Sequence, residues 1–227
     1  MKRAFAPLLL SLSVFFSGMA AAQEAELPPL EEATMEEDPI FAAFKAVERY
    51  FRETQSLKAG FVQHAPSGEI TSGMVYMARP GRIRFDYAGD VPFLVVADGE
   101  ALNLIDYEVG QVTRWPIDDT PLRLLLGRDV DLARLGAQVQ AAPGGDERIV
   151  AVHARDENRP ELGTITIFFE RRAGEPDTLT LKGWLVKDAQ AQETYVELVD
   201  AILNPELEKK LWTFEDPRGL SKRRRTR

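Results

Sequence analysis

Residues 69–88 read EITSGMVYMARPGRIRFDYA. Apolar and polar side chains alternate on both sides of a Pro80-Gly81 step. Successive strand residues point to opposite faces, so Ile83, Phe85 and Tyr87 mark one apolar face, and Arg82 and Arg84 the wet one. Pro-Gly sets a tight turn. The stretch therefore predicts an antiparallel hairpin. Arg79 stands before the turn and falls outside the alternation.

The same period of two recurs along the chain. Strands are expected at 57–63, 69–78, 82–88, 92–99, 101–109 and 111–117, then at 137–142, 148–156, 163–172, 177–188 and 193–203, with a further short one at Leu211–Phe214. Turn residues separate them at about ten-residue spacing, the pattern of an antiparallel meander, closed or partly closed. Before the strands, Asp38 and Pro39 suit the cap and first position of a helix. Ile40, Phe44, Val47 and Phe51 form its apolar stripe. Residues 118–137 interrupt the series. Thr120 and Pro121 are expected to open a helix with Leu122, Leu125 and Leu126 on its apolar side, ended by Gly127. Asp129 or Asp131 would cap a second short helix through Leu132 and Leu135.

The first 22 residues carry Lys2 and Arg3, an apolar run from Ala4 to Phe16, and small residues at Ala20–Ala22. This predicts a secretory signal peptide cleaved after Ala22. Residues 23–37 are acidic with a Pro-Pro step and read as a disordered leader. The fold is expected to occupy 38–217 as one domain, followed by a basic tail from 218 to 227. The chain carries a net charge of −8. Loss of Lys2 and Arg3 with the leader gives −8 − 2 = −10, which disfavours nucleic-acid binding. There is no cysteine, hence no disulfide and no site for a lipid anchor.

Catalysis needs convergent reactive groups. His64 and His153 lie far apart with no ligand-spaced partner. His153 is expected to face solvent. No nucleophile motif, phosphate loop or dinucleotide fingerprint is present. The chain is read as a non-enzyme, with no cofactor and no metal.

Several motifs in order resemble the LolA family, periplasmic carriers of outer-membrane lipoproteins in Gram-negative bacteria: LKAGFVQ (57–63), GMVYMARPGRIRFDY (73–87), LVVADGEALNLID (94–106), QVTRWPIDDTPLRLLL (111–126) and the ending Phe214–Pro217–Gly219. The resemblance implies a mainly-β fold: an incomplete, strongly curved antiparallel barrel of about eleven strands covered by a long N-terminal helix and short inserted helices. It implies a soluble periplasmic chaperone that holds acyl chains in an apolar cavity and carries lipoproteins from the inner to the outer membrane. Its partners would be those lipoproteins, an inner-membrane ATP-driven exporter and an outer-membrane acceptor lipoprotein, and it is expected to act as a monomer. The Arg of the Arg-Pro turn would latch the lid, a role carried here to Arg79. The cavity would be lined by Phe61, Met77, Ile83, Phe85, Val95, Leu104 and Trp115 from strands, and by Phe44, Leu122 and Leu125 from helices. Ordinary core packing uses the same side chains. Phe85 stands where the family often has Trp, and the tail is more basic than the family pattern. A second reading keeps the half-barrel but makes it an exported lipid or glycolipid carrier, or a module that senses lipoproteins.

Overall fold

The computed structural model describes residues 38–128, 130–133 and 135–218. The signal peptide, its cleavage point, the acidic leader and the tail beyond Arg218 lie outside them. So does Asp129.

Helix α1 spans Pro39–Glu53. The Asp38 side chain accepts from the Ile40 N–H at 2.9 Å, and Pro39 takes the first turn as expected. The buried face is Ala43, Ala46, Val47, Tyr50 and Phe51. The expected stripe is thus rotated: Phe44 is half-buried, and Ile40, in the first turn, is 54% exposed. Small residues at 43 and 46 let the backbone approach the sheet, which is why they, and not the larger Ile40, sit innermost.

Eleven antiparallel strands follow: β1 (Ser56–His64), β2 (Ile70–Ala78), β3 (Arg82–Tyr87), β4 (Phe93–Asp98), β5 (Ala101–Asp106), β6 (Gln111–Pro116), β7 (Gln138–Ala141), β8 (Ile149–Arg155), β9 (Thr164–Arg172), β10 (Glu175–Lys187) and β11 (Glu193–Leu203). They form one sheet in the order β6-β5-β4-β3-β2-β1-β11-β10-β9-β8-β7. Two meanders, β1–β6 and β7–β11, therefore meet along the β1–β11 pair. Register slips by a bulge between Lys58 and Gly60 against β11, and between Leu181 and Gly183 against β9. Bulges bend and twist a strand locally, so the two that flank the centre help the sheet to curl. The result is an open half-barrel with β6 and β7 as its edges.

The concave face is the core. Leu57, Ala59, Phe61, Val75, Met77, Ile83 and Phe85 come from the first meander, and Val150, Val152, Ile165, Ile167, Phe169, Leu181 and Trp184 from the second. Phe61 meets Phe85 edge-on at 5.1 Å, and Phe85 meets Trp184 at 6.2 Å. Tyr50 and Phe51 of α1 both pack edge-on against Phe169, at 4.9 and 6.0 Å.

The β6-to-β7 connection has to cross between the two free edges, and so it spans the mouth. It is less helical than expected. A 3-10 turn covers Ile117–Asp119, and α2 is the single turn Arg123–Leu126 with Leu122 at its N-cap. Thr120 does not cap it; its hydroxyl donates to the Ile117 carbonyl at 2.8 Å. Asp131 and Leu132 accept from Leu135 and Ala137 in turns, and the expected second helix is absent among the described residues. Apolar contact with the core, through Leu124, Leu125, Leu126 and Leu132, holds this segment better than its propensity could.

The expected strand at 211–214 is replaced by a 3-10 turn, Lys209–Trp212. This segment lies on the convex side. Leu94, Val96 and Ile105 are buried there beneath it, with Val112 and Phe214 packed against them. Arg84 is not the wet-face arginine the alternation implied. Its Nε donates to Asp86 Oδ1 at 2.7 Å, and its Nη1 to the carbonyls of Leu211 and Thr213 at 3.2 and 3.1 Å. Arg82 is exposed, as expected.

Gly73 is the tightest point of the β2–β3 pair. A Cβ there would lie 2.0 Å from the Asp86 carbonyl oxygen. Gly73→Ala is expected to push β2 off β3 and cost roughly 1–3 kcal/mol, the usual penalty of overpacking, read as a lowered denaturation midpoint. Arg84→Ala is expected to free the C-terminal segment, so that limited proteolysis cuts between 205 and 218 while the sheet stays intact.

Candidate functional site: the lid and its latch

The C-terminal end of α1 points its last carbonyls at the β2–β3 turn. Helix ends leave such groups without intrahelical partners, and here each finds one. The Tyr50 carbonyl accepts from the Thr54 N–H at 2.9 Å. The Phe51 carbonyl accepts from Arg79 Nη1 at 2.6 Å, and the Thr54 carbonyl from Arg79 Nη2. The Arg52 carbonyl accepts from Gln55 Nε2 at 3.0 Å, and the Glu53 carbonyl from Asn204 Nδ2, also at 3.0 Å. Arg79 is therefore the expected turn arginine brought to a helix C-terminus, where a cation is also favoured by the helix dipole. Its guanidinium carbon lies 4.9 Å from the centre of the Phe51 ring. Burial pulls the guanidinium below its ordinary pKa, opposed by Tyr50, and burial pushes the Tyr50 phenol up. Arg79 stays a cation, because arginine's intrinsic pKa lies so far above neutrality.

The same turn holds the second lid element. The Gly81 N–H donates to the Leu126 carbonyl, the last of α2, at 2.8 Å, and the Arg79 N–H donates to Gln55 at 2.8 Å. Gly81 has φ 73°, and a Cβ on it would come within 2.7 Å of the Gly99 carbonyl oxygen. Only glycine fits there without strain. One short turn thus ties the ends of both covering segments to the sheet.

The ten side chains expected to line a cavity do not share one environment. Phe61, Met77, Ile83, Phe85 and Leu125 are buried together beneath the lid. Phe44, Val95 and Leu122 pack at the margin of that cluster. Leu104 and Trp115 lie on the outer wing. Their register with Val95 and Leu102 puts them on the concave side, but β6 is an edge and Trp115 is 42% exposed. Phe93, on the same side of β4, is 41% exposed. A small cavity of about 10 Å³ lies beside the latch between Tyr50, Leu57, Met77, Arg79 and Leu125. His153 is exposed, as expected, with Nδ1 3.0 Å from the Thr166 hydroxyl.

Residue reading missed Asn204 and Gln55. Asn204 accepts from the Gln55 and Ser56 N–H groups at 2.7 and 3.3 Å, with its backbone at φ 54°. Asn tolerates that conformation better than most residues. Its partners lie 148 to 151 positions away, so only the Asn-Pro pair at a strand end hinted at a special backbone.

An open, curled antiparallel sheet with an apolar concave face under a helical lid defines the class: a mainly-β, lidded half-barrel. The model of the family described as outer membrane lipoprotein carrier protein LolA matches residues 52–215. The chain belongs to the LolA family. An outer-membrane lipoprotein carrier protein of Halorhodospira halophila is 30% identical over 189 residues, covering 78% of this chain and 83% of the relative. One from Nitrosomonas europaea is 26% identical over 193 residues, covering 79% and 87%. The solved structure of a LolA superfamily protein from Nitrosomonas europaea is 10% identical, covers 77% and 96%, and has a TM-score of 0.41.

Asn204→Ala removes partners of Glu53, Gln55 and Ser56. It is expected to cost roughly 0.5–1.5 kcal/mol in chemical denaturation. Asn204→Gly, which keeps the backbone free to stay left-handed, should show a similar loss if the side-chain bonds carry the effect.

Proposed function

We propose that this chain is a soluble periplasmic chaperone. It takes the acyl chains of outer-membrane-destined lipoproteins into the space between concave sheet and lid, and carries them from the inner to the outer membrane. Support comes from the carriers named among its relatives and from the export leader read in the sequence. The observation that carries the reading is the Arg79 latch: two covering segments held over an apolar face by a few bonds to one turn.

An acyl chain of about fifteen methylenes is held in a membrane by on the order of 12 kcal/mol, at roughly 0.8 kcal/mol for each CH₂. A carrier must offer comparable apolar surface and then give the chain up. A lid that packs on the same surface when the carrier is empty competes with the cargo for it. Arg79 makes that competition switchable, because its guanidinium is well solvated once the lid lifts and so can change partners. The energy input and the final acceptor belong to partners: an inner-membrane ATP-driven exporter and an outer-membrane lipoprotein. The carrier works as a monomer.

Arg79→Leu is expected to fold and to retain bound lipoprotein, with release to acceptor-containing membranes falling by an order of magnitude or more. Release at the wild-type rate would remove the latch. Native mass spectrometry of the protein purified from periplasm tests the cargo itself. Bound triacylated or diacylated lipoprotein is the expected result, and a bound phospholipid or glycolipid in its place would favour the lipid-carrier reading.

A further inference from the structure

The first half of the segment that spans the mouth, 117–126, is anchored at two ends, and the anchors differ in kind. At its C-terminal end the Leu126 carbonyl bonds the Gly81 N–H, and Leu126 is fully buried. At its N-terminal end the tether is ionic and reaches the β8–β9 connection. Arg159 Nη1 donates to Asp119 Oδ1 at 2.7 Å, and its Nη2 to the Asp118 carbonyl at 3.0 Å. Its Nε donates to Asp156 Oδ2 at 2.9 Å, and the same oxygen lies 3.0 Å from Arg123 Nη2 of α2. Asp156 is thus shared between an arginine of the spanning segment and an arginine of the sheet side, and only 11% of its side chain is exposed. Beside it lies a small cavity of about 20 Å³ whose lining joins polar Thr120, Arg123 and Asp156 to apolar Leu124, Ala154 and Ile165.

We propose that the Asp156-centred cluster is a clasp, that the spanning segment loosens at this end first, and that the cleft beside it is where an apolar chain begins to enter. The physical reason is the difference between the two anchors. Breaking the Leu126–Gly81 bond unpairs a backbone donor and acceptor on two buried residues. The outer pair, Arg159 with Asp119, is partly exposed, so it is weak and salt-screened and parts first; the inner pair, Arg123 with Asp156, is more sheltered and parts after it. Only the identity of the entering chain rests on the carrier reading; the clasp and the cleft stand on the geometry.

The test uses the full mature chain and a fluorescent apolar dye, 1-N-phenylnaphthylamine, in place of lipoprotein. A failure here therefore leaves the carrier reading to its own assays, and the reverse. Arg159→Met is expected to raise dye uptake roughly two- to fivefold, the range that exposed ion pairs allow; Arg123→Met, which takes a partner from the sheltered Asp156, at least as much; and the double variant more. Raising NaCl from ~10 mM to ~500 mM, which shortens the screening length severalfold, should lift wild-type uptake towards the double variant and leave the double variant unchanged. Unchanged uptake in a double variant with wild-type circular dichroism and melting temperature would overturn the proposal. So would an equal response of both proteins to salt. Should the double variant not fold, hydrogen exchange on the wild type decides. Added salt must speed exchange of the amides of 117–126 and spare those of β8 and β9; a uniform change, or none, sinks the clasp.

Discussion

The carbonyls at the end of α1 are the constraint on which the lid depends. A helix laid over a sheet must bring its C-terminus somewhere, and four or five acceptors then need donors in a place that water reaches poorly. Here one fork-shaped cation satisfies two of them, one asparagine and one glutamine satisfy two more, and the backbone of Thr54 satisfies the fifth. A lysine in place of Arg79 would carry the charge but not the planar pair of donors. Because Gly81 in the same turn holds the end of α2, the two covering segments are coupled through three consecutive residues.

The lid is held down mostly by area. Tyr50, Phe51 and the leucines of the spanning segment are buried on the concave face, and such contacts are non-directional. The polar bonds add direction: they fix where the lid sits and leave the strength to the apolar surface. In the proposed carrier role, this division would let one apolar interior serve as core when closed and as binding site when open. The side chains that fill it when it is closed, Phe61, Ile83, Phe85 and Trp184, are the ones an acyl chain would touch when it is open.

The two wings of the sheet are finished differently. On the second, α1 packs against β7 and β10, and the outward side chains of β7 to β10 are mostly exposed or half-exposed. On the first, the convex face of β4 and β5 is covered as well, because the C-terminal segment packs over Val96 and Ile105 and is itself clamped by Arg84. The run Phe93-Leu94-Val95-Val96-Ala97 carries the signature of this, since a strand with both faces covered shows no alternation. The concave side of the same wing stays partly open at Phe93 and Trp115.

The eleven strands between 56 and 203, to within a few residues, and the N-cap of α1 follow from local rules, the period of two and the Gly- and Pro-bearing turns. They were legible in the sequence because each depends on neighbours along the chain. The family was legible too, through the order of its motifs. What the sequence did not contain was pairing across distance. It could mark Arg79 as odd but not name Phe51 and Thr54 as its partners. It left Arg84 on a wet face, gave the spanning segment more helix than it has, and made a strand of 211–214. In each case a contact with a distant element overrode a weak local preference: the C-terminal segment over Arg84, the apolar core under Leu124 to Leu126, the convex face under Phe214. The alternation along one strand says which side chains share a face. Which face is covered, and by what, is set by the curl of the sheet, and that is a property of all eleven strands together.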